Sequence, residues 1–220
     1  MKILAVEFSS EHRSVAVAES GDDGAVAVLG TAVEILAPKT RALTLVGAAL
    51  TQAGVEREQI ECIAVGLGPG SYTGIRASIS LAQGWQLARG VKLLGVSSVA
   101  CLAAQAQSAG WRDPVTLIID AQRSEFYLAR YDLAPTVPRL VENLHLVPAE
   151  EVKRRLEAGE WVAGPEANGR FAQARNLFPE AAMLARLAAR RTDYLPGEKL
   201  EPIYLRETAF VKAPPPRAAT

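Results

Sequence analysis

Short apolar runs alternate with polar residues from the first positions of the chain. Ile3 to Phe8 and Ser14 to Glu19 have the pattern of β-strands, joined by a polar turn. Gly21-Asp-Asp-Gly24 marks a second turn, and Ala25 to Leu36 resumes the strand pattern. Three strands in succession predict an antiparallel meander. From Pro38 to Ala53 the apolar residues move to helical spacing, and Gly54 supplies the stop. A strand over 62–67, a helix over 74–89, a strand over 91–96 and a helix over 98–109 follow. The order is βββαβαβα, and the later strands, joined through helices, are expected to run parallel.

The second half begins in the same way. Val115 to Ala121 is an apolar strand that carries an acid near its end, as Ile3 to Glu7 does, and Glu125 to Asp132 and Arg139 to Val147 complete another meander. Pro148 to Glu157 reads as a helix, with Glu150 and Glu151 early and Arg154 and Arg155 late, which suits the helix dipole. A short strand, Trp161 to Ala163, and two helices over about 168–177 and 179–191 finish the unit. No sequence repeat is visible, but the order of elements repeats. The expected architecture is α/β with two lobes, 1–110 and 111–210, the last helix packing back on the first lobe. This is the layout of the actin/sugar-kinase/Hsp70 fold, a duplicated ribonuclease H-like unit. The proline-rich end, 211–220, is expected to be disordered.

One connection stands apart. The strand Cys62 to Val65 runs into Gly66-Leu-Gly-Pro-Gly-Ser-Tyr-Thr-Gly-Ile-Arg76, with four glycines before a helix. Gly68, Gly70 and Gly74 permit positive φ and close backbone approach, and Ser71 and Thr73 can cap the helix. Such a corner either receives a phosphate at the helix N-terminus or serves as a rigid structural junction. The nucleotide fingerprints do not fit. The P-loop lysine is missing, since no lysine lies between Lys39 and Lys92, and the third glycine of a dinucleotide loop falls one position late, at Gly74.

GPGSYTGIR, AQGWQLA at 82–88 and LLGVSSVACLA at 93–103 resemble the TsaB (YeaZ) family. IDAQRSEFYLARYD at 119–132 and EPIYLRETAF at 201–210 are similar to two further segments of that family, so the likeness covers most of residues 1–210. The resemblance implies the same two-lobed fold. It also implies a non-catalytic subunit that binds TsaD and supports formation of N6-threonylcarbamoyladenosine at position 37 of tRNAs reading ANN codons. TsaE would join a larger complex, TsaC would make the threonylcarbamoyl-adenylate, and the chain alone would form a homodimer.

Composition agrees with a globular chain. Hydrophobic residues make up 49% and charged residues 22% of 220, and 24 basic side chains balance 24 acidic ones. A protein that grips tRNA unaided carries a basic excess. The nearest basic runs, Lys153-Arg154-Arg155 and Arg190-Arg191, read as solvated helix faces, so tRNA is expected to be met only through the complex. Cys62 and Cys101 lie far apart in apolar runs, as buried reduced thiols of a cytoplasmic protein would. No apolar run approaches the roughly 18 residues of a membrane span, so no membrane contact is expected.

The chemistry of the fold has to be looked for residue by residue. Kinases and ATPases of this architecture place an aspartate at the end of the first strand, where this chain has Glu7. Glu7 and Asp120 are either a metal–phosphate pair across a cleft or strand-end acids that cap turns. TsaD holds its metal with a His-x-x-x-His pair. This chain has only His12, in a polar turn, and His145, in a strand. Where the family carries His-Ser-Glu before the first helix, Lys39-Thr40-Arg41 stands here, with Thr40 able to cap. No Gly-x-Ser-x-Gly elbow supplies a nucleophile. The chain is therefore read as catalytically silent, without metal or cofactor, any nucleotide binding being weak or vestigial. The alternatives are a small-molecule kinase or ATPase of this fold and, more weakly, a glycoprotease-like peptidase.

The two helices that flank the glycine corner offer a different use. Over 40–53, Leu43, Val46, Leu50 and Ala53 share one side and Ala42, Leu45 and Ala49 another. Over 74–88, Ile75, Ile79, Ala82 and Gln86 form one face and Ala77, Leu81, Gly84, Trp85 and Ala88 a second, with Ala77, Ser78, Ala82 and Gly84 small enough to admit another helix. Two apolar faces exceed what one core requires. The candidate partner surface is therefore Leu43, Leu45, Val46, Leu50, Ile75, Ala77, Ile79, Leu81, Ala82 and Trp85, and the pattern does not decide which face points outward.

Overall fold

The computed structural model describes residues 1–21, 24–35, 41–134 and 136–205. The turn residues Asp22 and Asp23, the expected Thr40 cap and the expected disordered tail lie outside the described residues. Strands β1 (Lys2–Glu7), β2 (His12–Ser20) and β3 (Val26–Ile35) form the first meander. Helix α1 (Ala42–Ala53) leads to β4 (Cys62–Gly66), α2 (Tyr72–Arg89), β5 (Lys92–Val96) and α3 (Ser98–Ser108). Both β4 and β5 run parallel in the ladder that starts from β1, and the sheet order is β3-β2-β1-β4-β5.

The second half contains β6 (Val115–Asp120), β7 (Glu125–Asp132), β8 (Arg139–Pro148), α4 (Ala149–Glu157), β9 (Trp161–Gly164), α5 (Ala167–Arg170), β10 (Arg175–Asn176) and α6 (Ala181–Ala188). Its sheet reads β8-β7-β6-β9-β10, the same order of meander and parallel strands as the first. The duplicated α/β topology of the actin/sugar-kinase/Hsp70 fold is therefore present.

Period-two patterning sends each strand's residues to opposite faces. In the first sheet Leu4, Val6, Val15, Val17, Ile63 and Val65 meet α1 and α2. On the reverse face the smaller Ala5, Ala16, Ala18, Cys62 and Ala64 meet the alanine-rich α6, so helix and sheet approach closely. Helix α3 is shared. Cys101 packs with the first sheet, whereas Val99, Leu102, Ala103 and Ala106 pack on β6 and β7 of the second. The far face of the second sheet is closed by Val152 of α4 and by Ala167, Phe171 and Ala174.

Two helices are shorter than the pattern predicts. The stretch over 168–177 is one turn of helix followed by the short strand β10, because Phe171 is extended at φ −140° and the Asn168 side chain bonds the carbonyls of Ala172 and Ala174. The apolar pair Phe171 and Ala174 has helical spacing but reaches the core from a loop. Similarly α6 spans only 181–188, since Glu180 is extended and Arg191 turns back to Asp193 and the Gly95 carbonyl. Among the described residues no helix is long and apolar enough to cross a membrane.

Candidate functional site

The glycine corner is built against the backbone of residues 7–10. A Cβ on Gly66 would overlap the Glu7 carboxyl, one on Gly70 the Ser9 carbonyl oxygen and one on Gly74 the Phe8 carbonyl oxygen. Gly68 (φ +85°) and Gly70 (φ +144°) also need backbone conformations that L-residues with side chains avoid. Ser71 N–H donates to the Ser9 carbonyl at 2.7 Å, while Gly68 and Ser98 bond reciprocally, N–H to Oγ at 3.2 Å and N–H to carbonyl at 2.9 Å. Ser71 Oγ accepts from Gly74 N–H and caps α2; Thr73 lies exposed in the first turn and caps nothing among the described residues. In the second lobe Gly164, at the end of β9, comes equally close to the Ile118 carbonyl of β6.

Glu7 is fully buried. One carboxyl oxygen accepts from Ser9 N–H and the other from Ser98 Oγ, both at 2.8 Å. Burial pushes its pKa up, against the opposing effect of those bonds. Asp120 instead lies on the cleft wall, where it accepts from Gln122 N–H and pairs with Arg170 at 2.6 Å. The two acids therefore do not form a pair across the cleft. The physical reason is Gly66: with no side chain beside the end of β1, Glu7 folds inward beneath the corner.

Because the folded pKa of Glu7 stands above its usual value of 4.5, its contribution to stability is complete below 4.5 and is lost as pH rises through the folded value. Glu7→Gln keeps an acceptor for Ser9 N–H but cannot ionise. Its stability relative to the parent chain is expected to improve from pH 5 to pH 8, measured by denaturant midpoints. An equal difference at both pH values would show that the folded pKa of Glu7 is not raised and that its buried carboxyl is already ionised at pH 5.

The cleft between the lobes is a cavity of about 510 Å³, walled by Ser10, Ser71, Tyr72, Asp120, Glu166 and Arg170 among others. Its rim is conformationally unusual. Gln122, Arg123 and Ser124 adopt three successive positive φ values (65°, 58° and 62°), and Glu166 a fourth at 53°. Burial, then Glu11 and Asp120, raise the pKa of Glu166. His12 starts β2 rather than a turn and stacks on Phe178 at 3.5 Å, while His145 sits in the other sheet, 3.5 Å from Glu142. Among the described residues no group of three or more His, Cys, Asp or Glu side chains is placed to hold a metal. Both cysteines are buried free thiols; burial pushes Cys62 up to about 11 and Cys101 well above the usual thiol value.

The flanking helices resolve which faces are core. Leu45, Val46, Leu50, Ile75, Ile79 and Ala82 are buried, so these six residues of the candidate partner surface support the core and do not form an exposed face. On α1 the correction is one of geometry: 42, 45, 46, 49, 50 and 53 form a single wide stripe at helical spacing, not two faces. Ser78 is buried too, its hydroxyl donating to the Ile75 carbonyl. Leu43 (69% exposed) and, partly exposed on α2, Ala77, Leu81 and Trp85 remain at the surface. Leu43, Leu81, Gly84, Trp85 and Ala88 line a mostly apolar groove of about 550 Å³ between the helices, with Val46 in its floor and Arg57, Glu58 and Arg89 among its polar residues. A Cβ on Gly84 would meet nothing within 4 Å, and the same holds for Gly47 of α1. The monomer gives no steric reason for either glycine.

The family described as TsaD, tRNA N6-adenosine threonylcarbamoyltransferase, matches residues 39–187. The tRNA threonylcarbamoyladenosine biosynthesis protein TsaB of Escherichia coli is 30% identical over 235 residues, covering 98% of this chain and 99% of that protein. This chain belongs to the TsaB family. TsaB of Haemophilus influenzae is 29% identical over 59% of the chain and 53% of its own length. A Pseudomonas aeruginosa crystal structure, described as an uncharacterized protein with similarity to peptidase YEAZ, superposes with a TM-score of 0.77 at 30% identity, covering 93% of this chain and 99% of that one. The TsaB-like segments converge in space. GPGSYTGIR forms the corner, SEFYLARYD starts at the last residue of the left-handed turn and continues as β7, and in the C-terminal segment Ile203 N–H donates to the Leu67 carbonyl while Tyr204 stacks on Tyr72.

Sequence reasoning missed Ser98 as the second tie of the corner, Arg170 as the partner of Asp120, and the open position of Gly47; Gly84 it places with Leu81 and Trp85, on what is the outer face of its helix. For Gly47 a signal existed: it interrupts a good helical run, where it costs about 1 kcal/mol relative to alanine.

Proposed function

We propose that this chain is a non-catalytic subunit of the apparatus that makes N6-threonylcarbamoyladenosine at position 37 of tRNAs reading ANN codons, and that it binds TsaD through the α1–α2 groove. The observation that carries this reading is the open apolar groove with a sterically unconstrained glycine, Gly84, in its wall. A helix that keeps such a glycine forgoes stability, which is understandable where another backbone must come close. Membership of the TsaB family selects the partner. TsaE joins the larger complex, tRNA is handled within that complex, and the free chain pairs with itself through the same groove. The buried, fully bonded Glu7 supports a role without chemistry of its own.

The test is reconstitution. The chain is expected to co-elute with its TsaD and to raise threonylcarbamoyladenosine formation by TsaD, TsaC and TsaE, while forming none alone. Multiple ATP turnovers by the chain alone, lost on Asp120→Asn, would instead establish the kinase or ATPase reading.

A further inference from the structure

On the opposite face of the first sheet from the α1–α2 groove, α3, α6 and the β7–β8 connection enclose a second cavity of about 550 Å³. Arg112, Arg186 and Arg190 line it together with Gln107, Ser108 and Thr136 and with apolar side chains such as Val137, Met183 and Leu187, and among the described residues no acidic one does. In a chain whose formal charge is zero, that is a local concentration of positive charge. Several other arginines are ion-paired: Arg155 with Glu142 and Glu151, Arg154 with Glu151, Arg139 with Asp132, Arg170 with Asp120 and Arg191 with Asp193. Arg112 is held in place by donating to the carbonyls of Gln107 and Trp111 at 2.9 and 2.7 Å, so its position at the end of α3 is set before any ligand arrives. Arg186 in α6 and Arg190 just past its end bring two like charges to one cavity, where they repel. An anion in the cavity would relieve that repulsion.

We propose that this arginine cavity binds the phosphate backbone of tRNA. Guanidinium groups match phosphate oxygens bidentately. Three of them, spread over two chain segments just past α3 and at the end of α6 and over a cavity wider than one phosphate, suit consecutive phosphodiesters better than a single small anion. Because cavity and groove lie on opposite faces of one sheet, RNA and TsaD can be held at once. The choice of tRNA rests on the proposed role in tRNA modification; the anion site itself rests on the arginines.

The test uses the combined variant Arg112→Ala, Arg186→Ala and Arg190→Ala, with Arg186→Ala/Arg190→Ala as a milder version that leaves the Arg112 bonds intact. Unmodified tRNA is titrated by fluorescence anisotropy against the complex with TsaD and against the chain alone, between roughly 50 and 200 mM salt. Loss of the three contacts is expected to weaken tRNA binding about ten-fold or more and to lower the slope of log K against log salt by about 2, with co-elution with TsaD unchanged. Unchanged affinity and slope would overturn the inference. So would arginine-dependent binding of inorganic phosphate or polyglutamate with tRNA binding unaffected, which would assign the cavity to a small anion or an acidic protein. If the parent chain fails to co-elute with TsaD, the proposed function falls, and the arginine dependence measured on the chain alone still decides the cavity.

Discussion

Gly74→Ala is expected to lower the melting temperature of the free chain by roughly 6–12 °C. The added Cβ would lie 2.0 Å from the Phe8 carbonyl oxygen, a backbone atom that cannot rotate away. Overpacking of that kind costs about 3 kcal/mol, and each kcal/mol moves the midpoint by about 2–4 °C for a chain of this size. Gly70→Ala should act in the same direction, because its Cβ would meet the Ser9 carbonyl oxygen and its φ of +144° is strained for alanine. Gly84→Ala is the control: with nothing near its Cβ, it should hold or raise the melting temperature. Binding to TsaD should fall with stability in the two corner variants. A Gly74→Ala chain that melts with the parent but no longer binds TsaD would make the corner a direct contact and not a structural junction.

The order of strands and the duplication were legible because both depend on local periodicity. Leu4 and Val6 facing one way and Ile3 and Ala5 the other is a pattern that only a doubly covered strand needs. The corner was legible for the same reason, since four glycines in nine residues have few uses other than close approach. What sequence could not supply was the direction of side chains at junctions. Glu7 and Asp120 occupy equivalent strand ends and look alike in sequence. One turns inward because Gly66 leaves room and Ser9 and Ser98 supply donors, and the other turns outward to Arg170. The bonding of Glu7 to Ser98 spans 91 residues and has no local signature. On α1, grouping Leu43 with Val46 and Leu50 joined an exposed residue to buried ones, because a single helix pattern does not say how wide its buried stripe is. Arg112 lies more than seventy residues from Arg186 and Arg190, so their common cavity appears only once α3 and α6 are packed.

Leu81→Glu is expected to abolish co-elution with TsaD and to shift the free chain from dimer to monomer. The side chain lines the groove beside Trp85, Gly84 and Leu43, and a carboxylate there would be desolvated and unpaired once a partner covers it. That costs several kcal/mol, so affinity should fall on the order of a hundred-fold or more. Leu81 also packs partly against the core, and its own variant will lose some stability. Two further changes separate binding from folding. Leu43→Glu alters a residue that is 69% exposed, and Gly84→Glu places a side chain where nothing lies within 4 Å and removes a helix-interior glycine. Both should fold as well as the parent and still fail to bind. Ile79→Glu and Val46→Glu are the opposite case: burying a charge among Leu4, Val6, Val65 and Ile75 should unfold the first lobe, seen as loss of a cooperative melting transition. The decisive pair is Gly84→Glu and Ile79→Glu, which lie on the same helix but on opposite sides. If Gly84→Glu and Leu43→Glu both co-elute with TsaD like the parent chain, the partner surface lies elsewhere on the molecule, and Gly84 needs another explanation.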